Sequence, residues 1–200
     1  MTKLRLKLLL LTLVAALSLG AVAHAATFST AKENSAFAQP TAADRSIFDM
    51  AFGLRENASD VVDESNSATA YSTCDGCRAI AIAFQVVIVQ STPSTVTPSN
   101  VALAVNEGCS DCSVLALAYQ WVVGKGEPAR ITSRGRRQLA AVADDMLRLE
   151  RDYEDYTNAE IESRANAAAA KVGTILDAEL VAVDHKGKPD VTKTRRADRG

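Results

Sequence analysis

Residues 74–87 read CDGCRAIAIAFQVV and residues 109–122 read CSDCSVLALAYQWV. Both stretches fit the pattern C-x-x-C-x-x-x-A-x-A-[FY]-Q-x-V, in which capital letters are fixed and x is any residue. All four cysteines of the chain lie in these two copies. A recurring pattern of this kind indicates a repeated structural unit, so we expect the fold to be built around it.

Large and small side chains alternate after the second cysteine of each copy, over residues 79–88 and 114–123. This alternation, rich in β-branched residues, is typical of a β-strand, whereas a helix would scatter the large residues around its axis. The linker 91–100, STPSTVTPSN, suits a loop. Each copy is therefore predicted to form a β-hairpin, over residues 68–89 and 101–123, with the cysteines at its tip.

The flanking residues complete the predicted architecture. Residues 47–54, IFDMAFGL, alternate in the same way and predict a further strand. Helical spacing then predicts helices over about 133–152 and 157–183, the second opened by a capping box at Thr157 and Glu160. The short connection between them favours an antiparallel helical hairpin. We therefore predict an α+β fold, with an antiparallel sheet of about five strands covered by that hairpin.

The first 25 residues have the three parts of a secretory signal peptide. Lys3, Arg5 and Lys7 provide the positive start, an apolar run follows, and Ala-His-Ala at 23–25 is a cleavage site. The apolar run has about 15 residues, fewer than the roughly 20 that a membrane-spanning helix needs. We expect an exported protein, secreted or in the cell envelope, without a stable membrane span after cleavage.

The remaining chain is predicted to form one domain with flexible ends. Residues 26–45 are small and polar and predict a flexible leader, residues 46–183 the single domain, and residues 184–200 a disordered polar tail. Loss of the signal peptide reduces Lys+Arg from 22 to 19 against 24 Asp+Glu, and the net charge from −2 to −5. This acidic balance argues against nucleic acid as a partner. An unknown protein or peptide partner is the expectation.

The four cysteines allow three interpretations. In an exported protein, disulfides are the first expectation, and the pairings Cys74–Cys77 and Cys109–Cys112 are favoured because the ends of a tight turn lie within disulfide range. The second interpretation is a zinc site with all four cysteines as ligands, since paired C-x-x-C motifs have zinc-ribbon spacing. The third is thiol–disulfide exchange, which normally places the first cysteine at a helix N-terminus.

Other candidate chemistry is sparse in the sequence. No histidine lies in the predicted domain, so a catalytic Ser/His/Asp or Cys/His arrangement is not expected there. No cofactor is predicted. Asp60, Asp63 and Glu64 cluster in a polar stretch and are interpreted as a solvated loop. Gln85 and Gln120 recur at equivalent positions among apolar residues and predict a buried, hydrogen-bonded amide pair.

Several stretches together resemble a bacterial extracytoplasmic module of the actinobacterial type with paired C-x-x-C motifs. These are SIFDMAFGL, DVVDESNSATAYSTCDGCRAIAIAFQVVIV, NVALAVNEGCSDCSVLALAYQWVV and RGRRQLAAV, within about residues 46–183. Similar stretches form the C-terminal exported part of membrane proteins labelled peptide zinc metalloproteases. The chain has no H-E-x-x-H motif, so the resemblance brings no zinc-protease residue to it.

The functional expectation is a non-enzymatic secreted or envelope-associated accessory or binding module, stapled by two disulfides. The resemblance implies an association with peptide export or processing. An extracytoplasmic thiol–disulfide oxidoreductase is the alternative function, and a four-cysteine zinc-binding structural module is a second alternative.

Overall fold

The computed structural model describes residues 28–183, 189 and 191–199. The predicted signal peptide lies outside this part of the chain. The described residues form eleven strands and two α-helices, with a short 3-10 turn at Tyr153–Asp155 between the helices. In chain order the elements are β1 (Glu33–Ala38), β2 (Ser46–Asn57), β3 (Val61–Val62), β4 (Ser65–Ser72), β5 (Arg78–Val89), β6 (Thr95–Val96), β7 (Ser99–Asn106), β8 (Ser113–Val123), β9 (Ala129–Ile131), α1 (Ser133–Arg151), α2 (Asn158–Glu179), β10 (Leu180–Ala182) and β11 (Val191–Arg199).

The first eight strands wind into three stacked coils, a short parallel β-solenoid. Strands β1, β4 and β7 form a parallel sheet, here called the outer sheet. Strands β2, β5 and β8 form a second parallel sheet, and β11 pairs with β8 in the antiparallel direction. This second sheet is called the helix-side sheet. Each circuit adds one strand to each of these two sheets, and the two-residue strands β3 and β6 pair in parallel on the return from the helix-side sheet to the outer sheet.

The prediction of antiparallel hairpins at 68–89 and 101–123 was wrong. The strands on either side of each C-x-x-C turn belong to different sheets, and each pairs in parallel with the strand one coil away. Alternation of large and small residues marks a strand but does not specify its direction. The structure selects parallel pairing because both faces of the helix-side sheet are buried, the usual environment of parallel sheets.

The two faces of the helix-side sheet pack against different layers. The large residues of β5 and β8, from Ile80 to Trp121, pack with Leu139 and Val142 of α1 and with residues of α2 in the main core. The alanines on the opposite face pack against alanines of the outer sheet. Small side chains allow the two sheets to approach closely, which keeps the solenoid thin.

The C-terminal helical pair was predicted and is present. Thr132 caps α1, its Oγ1 accepting the N–H of Gly135 at 3.0 Å. Thr157 and Glu160 form the predicted capping box of α2. The apolar face of each helix covers the large-residue face of the helix-side sheet, as the periodicity indicated.

Two strands lie in segments predicted to lack structure. Strand β1 lies within 26–45, the predicted flexible leader, and β11 within 184–200, the predicted disordered tail. Polar composition was misleading in both segments. The buried residues of β1 are small ones that suit the narrow solenoid interior, and β11 is tied to α2 by Arg195 and Arg199, which both pair with Glu162.

Within the described part of the chain, neither helix is long and apolar enough to cross a membrane.

Candidate functional site

The two cysteine pairs form disulfides within their own motifs. Cys74 is bonded to Cys77 and Cys109 to Cys112, with Cα–Cα distances of 5.5 and 6.1 Å. Each pair lies in the turn that takes the chain from the outer sheet to the helix-side sheet, in consecutive coils. This is the within-motif pairing that the sequence favoured.

The cysteine turns stack on one another at one corner of the solenoid. The Gly76 N–H donates to the Ser110 carbonyl at 2.9 Å, and the Ser110 N–H donates to Asp75 Oδ1 at 2.7 Å. Gly76 has a φ of +66°, in the left-handed region that favours glycine, and Asp111 has a φ of +54°. The turns are therefore fixed by local backbone geometry and by each other, in addition to the covalent bonds.

Neither cysteine pair stands at the start of a helix. Both lie between strands, so the helix dipole that lowers the pKa of the first cysteine in exchange catalysts is missing from these turns. Cys77 is also 1% exposed. Among the described residues, no group of three or more potential ligands is arranged to hold a metal ion.

Gln85 and Gln120 lie together, buried, at the corner opposite the disulfides. Gln120 Nε2 donates to Gln85 Oε1 at 2.8 Å and to the Ser99 carbonyl at 3.0 Å. Gln85 Nε2 donates to the Lys32 carbonyl at 3.2 Å. Both residues are at most 2% exposed. The pair joins consecutive coils and ties the helix-side sheet to the loops that enter the outer sheet.

An asparagine ladder, which sequence reasoning missed, runs along the inner face of the outer sheet. Asn34 Nδ2 donates to Asn66 Oδ1 at 2.7 Å, and Asn66 Nδ2 donates to Asn100 Oδ1 at 2.8 Å. Asn66 Nδ2 also lies 3.1 Å from the Tyr119 carbonyl, across the interior. The signal was present in the sequence: Asn-x-Ala-x-Ala occurs at residues 34, 66 and 100, once in each coil.

The acidic stretch between β2 and β4 does not form one site. Asp60 accepts the Ser94 hydroxyl at 2.6 Å, and this hydrogen bond lowers the pKa of Asp60. Asp63 pairs with Lys32 at 2.5 Å, which lowers the pKa of Asp63. Glu64 is buried and its Oε1 accepts hydrogen bonds from Arg55 Nε at 2.8 Å and Asn57 Nδ2 at 2.6 Å, both on β2. The three carboxylates therefore have separate partners and do not form a shared site.

Two further carboxylates connect the helices to the strands. Glu150 of α1 accepts the Met50 N–H at 3.0 Å, and burial raises the pKa of Glu150. Glu179 at the end of α2 accepts hydrogen bonds from Arg134 and Thr132, and the Arg134 bond above all lowers the pKa of Glu179. The two groups therefore respond to acid in opposite directions.

The outer face of the outer sheet is flat and apolar at its centre. It is defined by the outward side chains of the three strands: Glu33, Ser35, Phe37, Ser65, Ser67, Thr69, Tyr71, Ser99, Val101, Leu103 and Val105. Phe37, Thr69 and Leu103 lie side by side in register across the three strands. Phe37 is 56% exposed, Val101 51% and Leu103 46%. No described element of the chain covers them.

Comparison with protein-family models, curated proteins and solved structures gives no match for this chain. The fold and the exposed surfaces of the solenoid therefore provide the argument for its function.

Proposed function

We propose that this chain is an exported, non-catalytic binding module, a disulfide-stapled β-solenoid that binds a protein partner through the outer face of its outer sheet. The solenoid supplies a rigid platform, and the helical hairpin shields the opposite side of the molecule. The proposed location is the cell envelope or the extracellular space. Two disulfides are compatible with that location, because such bonds persist in oxidising compartments.

The observation that carries the proposal is the exposure of large apolar side chains on the outer face. Phe37, Val101 and Leu103 are about half exposed, while the outward neighbours between them are small and uncharged. Contiguous apolar surface on a folded protein typically marks an interaction site. A flat surface of three parallel strands suits a protein partner, because an aromatic and two aliphatic side chains can fill shallow pockets there.

The disulfides support a scaffolding role in this proposal. Each closes a turn of only four residues between two strands, and the turns hydrogen-bond to each other across coils. Such bonds hold a corner in shape without presenting a thiolate at a helix terminus. A change of all four cysteines to serine should therefore lower stability while leaving partner binding intact at temperatures where the protein stays folded.

The test begins with immobilised protein and an extract of the cell envelope from the producing organism. The proposal expects a partner that wild type retains and that both Phe37→Asp and Leu103→Asp lose by at least about tenfold in affinity. Val181→Asp is the matched control, because Val181 is 39% exposed but lies on β10, away from the outer face. The affinity of the identified partner is then measured directly by calorimetry for each variant.

Equal affinity of that partner for wild type and for both outer-face variants would contradict the proposal. Far-UV circular dichroism and thermal melting show whether each variant is folded, so a misfolded protein is not mistaken for lost binding. The alternative, a thiol–disulfide oxidoreductase, is tested by the reduction of insulin and by the reduction potential of each disulfide. A potential near those of exchange catalysts, above about −270 mV, would favour the alternative.

An association with peptide export or processing rests on the sequence resemblance alone and stays a prediction. It is tested by whether the retained partner belongs to a peptide-processing membrane complex. The zinc-binding alternative is tested by metal analysis of protein isolated from its own compartment.

A further inference from the structure

The two sheets of the solenoid differ in their number of strands, and the difference lies at its C-terminal end. Strand β11 adds a fourth strand to the helix-side sheet, next to β8. The described residues contribute no fourth strand to the outer sheet, which ends at β7. One strand position of the outer sheet is therefore vacant, beside the outer edge of β7 and above the inward face of β11. This vacant position is called the step.

The backbone of β7 is available at this step. The N–H groups of Ser99 and Glu107 donate to carbonyls on the β4 side, at 3.0 and 2.9 Å. Backbone N–H and C=O groups alternate sides along a strand, so the outer edge of β7 receives those of Asn100, Ala102 and Ala104. Of these, the Ala104 N–H is occupied by Asp198 Oδ2 at 3.0 Å. The remaining edge groups can pair with an added strand.

The interior of the solenoid is also open at this end. In the first two coils the inward alanines of the outer sheet, such as Ala36 and Ala68, are at most 1% exposed. The equivalent residues of β7, Ala102 and Ala104, are only partly buried. An added strand with small inward side chains would complete the alanine layer, as β4 does for β7.

Two cationic side chains, Lys125 and Arg196, lie at the wall of the step. The side chains that β11 directs toward it follow from its register with β8: Thr192, Thr194, Arg196 and Asp198. A cavity of about 120 Å³ at the start of β7 is lined by Pro98, Lys125 and Arg196, among others. No described residue forms an ion pair with Lys125 or Arg196. An acidic side chain at this end of the added strand would neutralise them.

A whole coil from a second copy does not fit the step. Stacking a coil onto β7 would require its β2 to lie beside β8, and β11 occupies that position. A single extended segment needs only the vacant place in the outer sheet. The geometry therefore favours a peptide over self-assembly.

We propose that the outer edge of β7, together with the inward face of β11, binds an extended peptide as the fourth strand of the outer sheet. The peptide has an acidic residue that meets Lys125 and Arg196, followed by small side chains at alternate positions. Backbone pairing supplies affinity and the alternate side chains supply selectivity, the usual division in strand addition. This inference deepens the proposed binding function and rests on it, but it uses different atoms from the outer face.

The probe is a synthetic peptide with the sequence of residues 64–72, Glu-Ser-Asn-Ser-Ala-Thr-Ala-Tyr-Ser, carrying an N-terminal fluorescein. It reproduces the strand that already pairs with β7 on its other side, with a glutamate where the step is positive. Fluorescence anisotropy with the full folded chain should show saturable binding with a Kd below about 1 mM. Arg196→Glu should weaken binding by about tenfold or more, since charge reversal turns attraction into repulsion.

Lys193→Glu is the matched control. It makes the same charge change on the opposite face of β11, where the Lys193 ammonium lies 5.4 Å from the Trp121 ring, and should change the Kd by less than about twofold. N-methylation of the peptide gives a second test that does not depend on protein folding. Methylation at the second serine or the threonine should abolish binding, whereas methylation at either alanine should not, because only alternate N–H groups face β7.

The inference is overturned by a lack of saturable binding, by equal binding to Arg196→Glu and Lys193→Glu, or by equal loss of binding from both sets of methylated peptides. Self-association of the chain that Arg196→Glu abolishes would also overturn it, since the edge would then be taken by a second copy. Phe37→Asp, at the far edge of the outer sheet, should leave peptide binding unchanged, so failure of the peptide test and failure of the outer-face test are distinguishable.

Discussion

Removal of the central rung of the asparagine ladder should be the most informative test of the solenoid interior. Asn66→Ala deletes a side chain that is 1% exposed and that bonds to both neighbouring asparagines. Two amide–amide bonds are lost at about 1 kcal/mol each, and leaving an N–H of the buried Asn34 amide without its acceptor adds about 1–3 kcal/mol. We expect the free energy of unfolding to fall by about 3–5 kcal/mol, and the melting temperature by roughly 10 °C.

The assay is urea and thermal unfolding followed by far-UV circular dichroism, with two comparison variants. Asn100→Ala removes the partly buried end of the ladder, where water can replace the lost bond, and should cost only about 1–2 kcal/mol. Ser67→Ala lies beside Asn66 on the same strand but faces outward, and should change stability by less than about 0.5 kcal/mol. The reasoning is refuted if Asn66→Ala unfolds like wild type, or if Asn100→Ala costs as much as Asn66→Ala.

Three further predictions concern the core, the charges and the disulfides. Phe84→Ala should lower the free energy of unfolding by about 3–5 kcal/mol in the same denaturation assay, because Phe84 stacks on an aromatic ring in the coil on either side, at 5.4 and 4.7 Å. Because burial raises the pKa of Glu150, its ionisation opposes folding as pH rises, so Glu150→Gln should gain stability over wild type between about pH 4 and 7. The opposite is expected for Glu179, because an arginine hydrogen bond lowers its pKa: Glu179→Gln should be less stable than wild type, and this cost should fade in acid. Melting temperatures measured across this pH range check both signs. Replacement of Cys109 and Cys112 by serine should cost about 2 kcal/mol, the chain-entropy value for a four-residue loop, and a cost near zero in urea unfolding would mean that the stacked turns alone fix the corner.

The elements that the sequence predicted well are those with strong local signals. Ten residues of strict alternation gave strands close to β5 and β8, and the helical spacing with Thr157 and Glu160 gave the start of α2 within one residue. The disulfide pairing followed from turn geometry alone. Each of these features depends on residues within a few positions of one another, so the local sequence is sufficient to predict it.

Strand direction and the ordered ends could not be found in this way. Residues 68–89 satisfy a hairpin and a solenoid corner equally well, because both place two strands around a short turn. The decision depends on what covers the alanine face, and that partner is supplied by β1 and β4. Strand β1 lies in a stretch whose composition is that of a linker, and its order comes from pairing with β4, from the burial of Ala36 and Ala38, and from Asn34 in the ladder.

Local sequence patterns are enough to place the central strands β5 and β8, the two helices and the disulfides, since periodicity, capping residues and short loops act over a few residues. Contacts between distant segments set the rest: the strands run parallel in three coils, β11 leaves the outer sheet one strand short of the helix-side sheet, and Lys125 and Arg196 meet at the resulting step. These features arise from burial between segments far apart in the chain. Such burial is shared between layers and is not encoded in any one stretch.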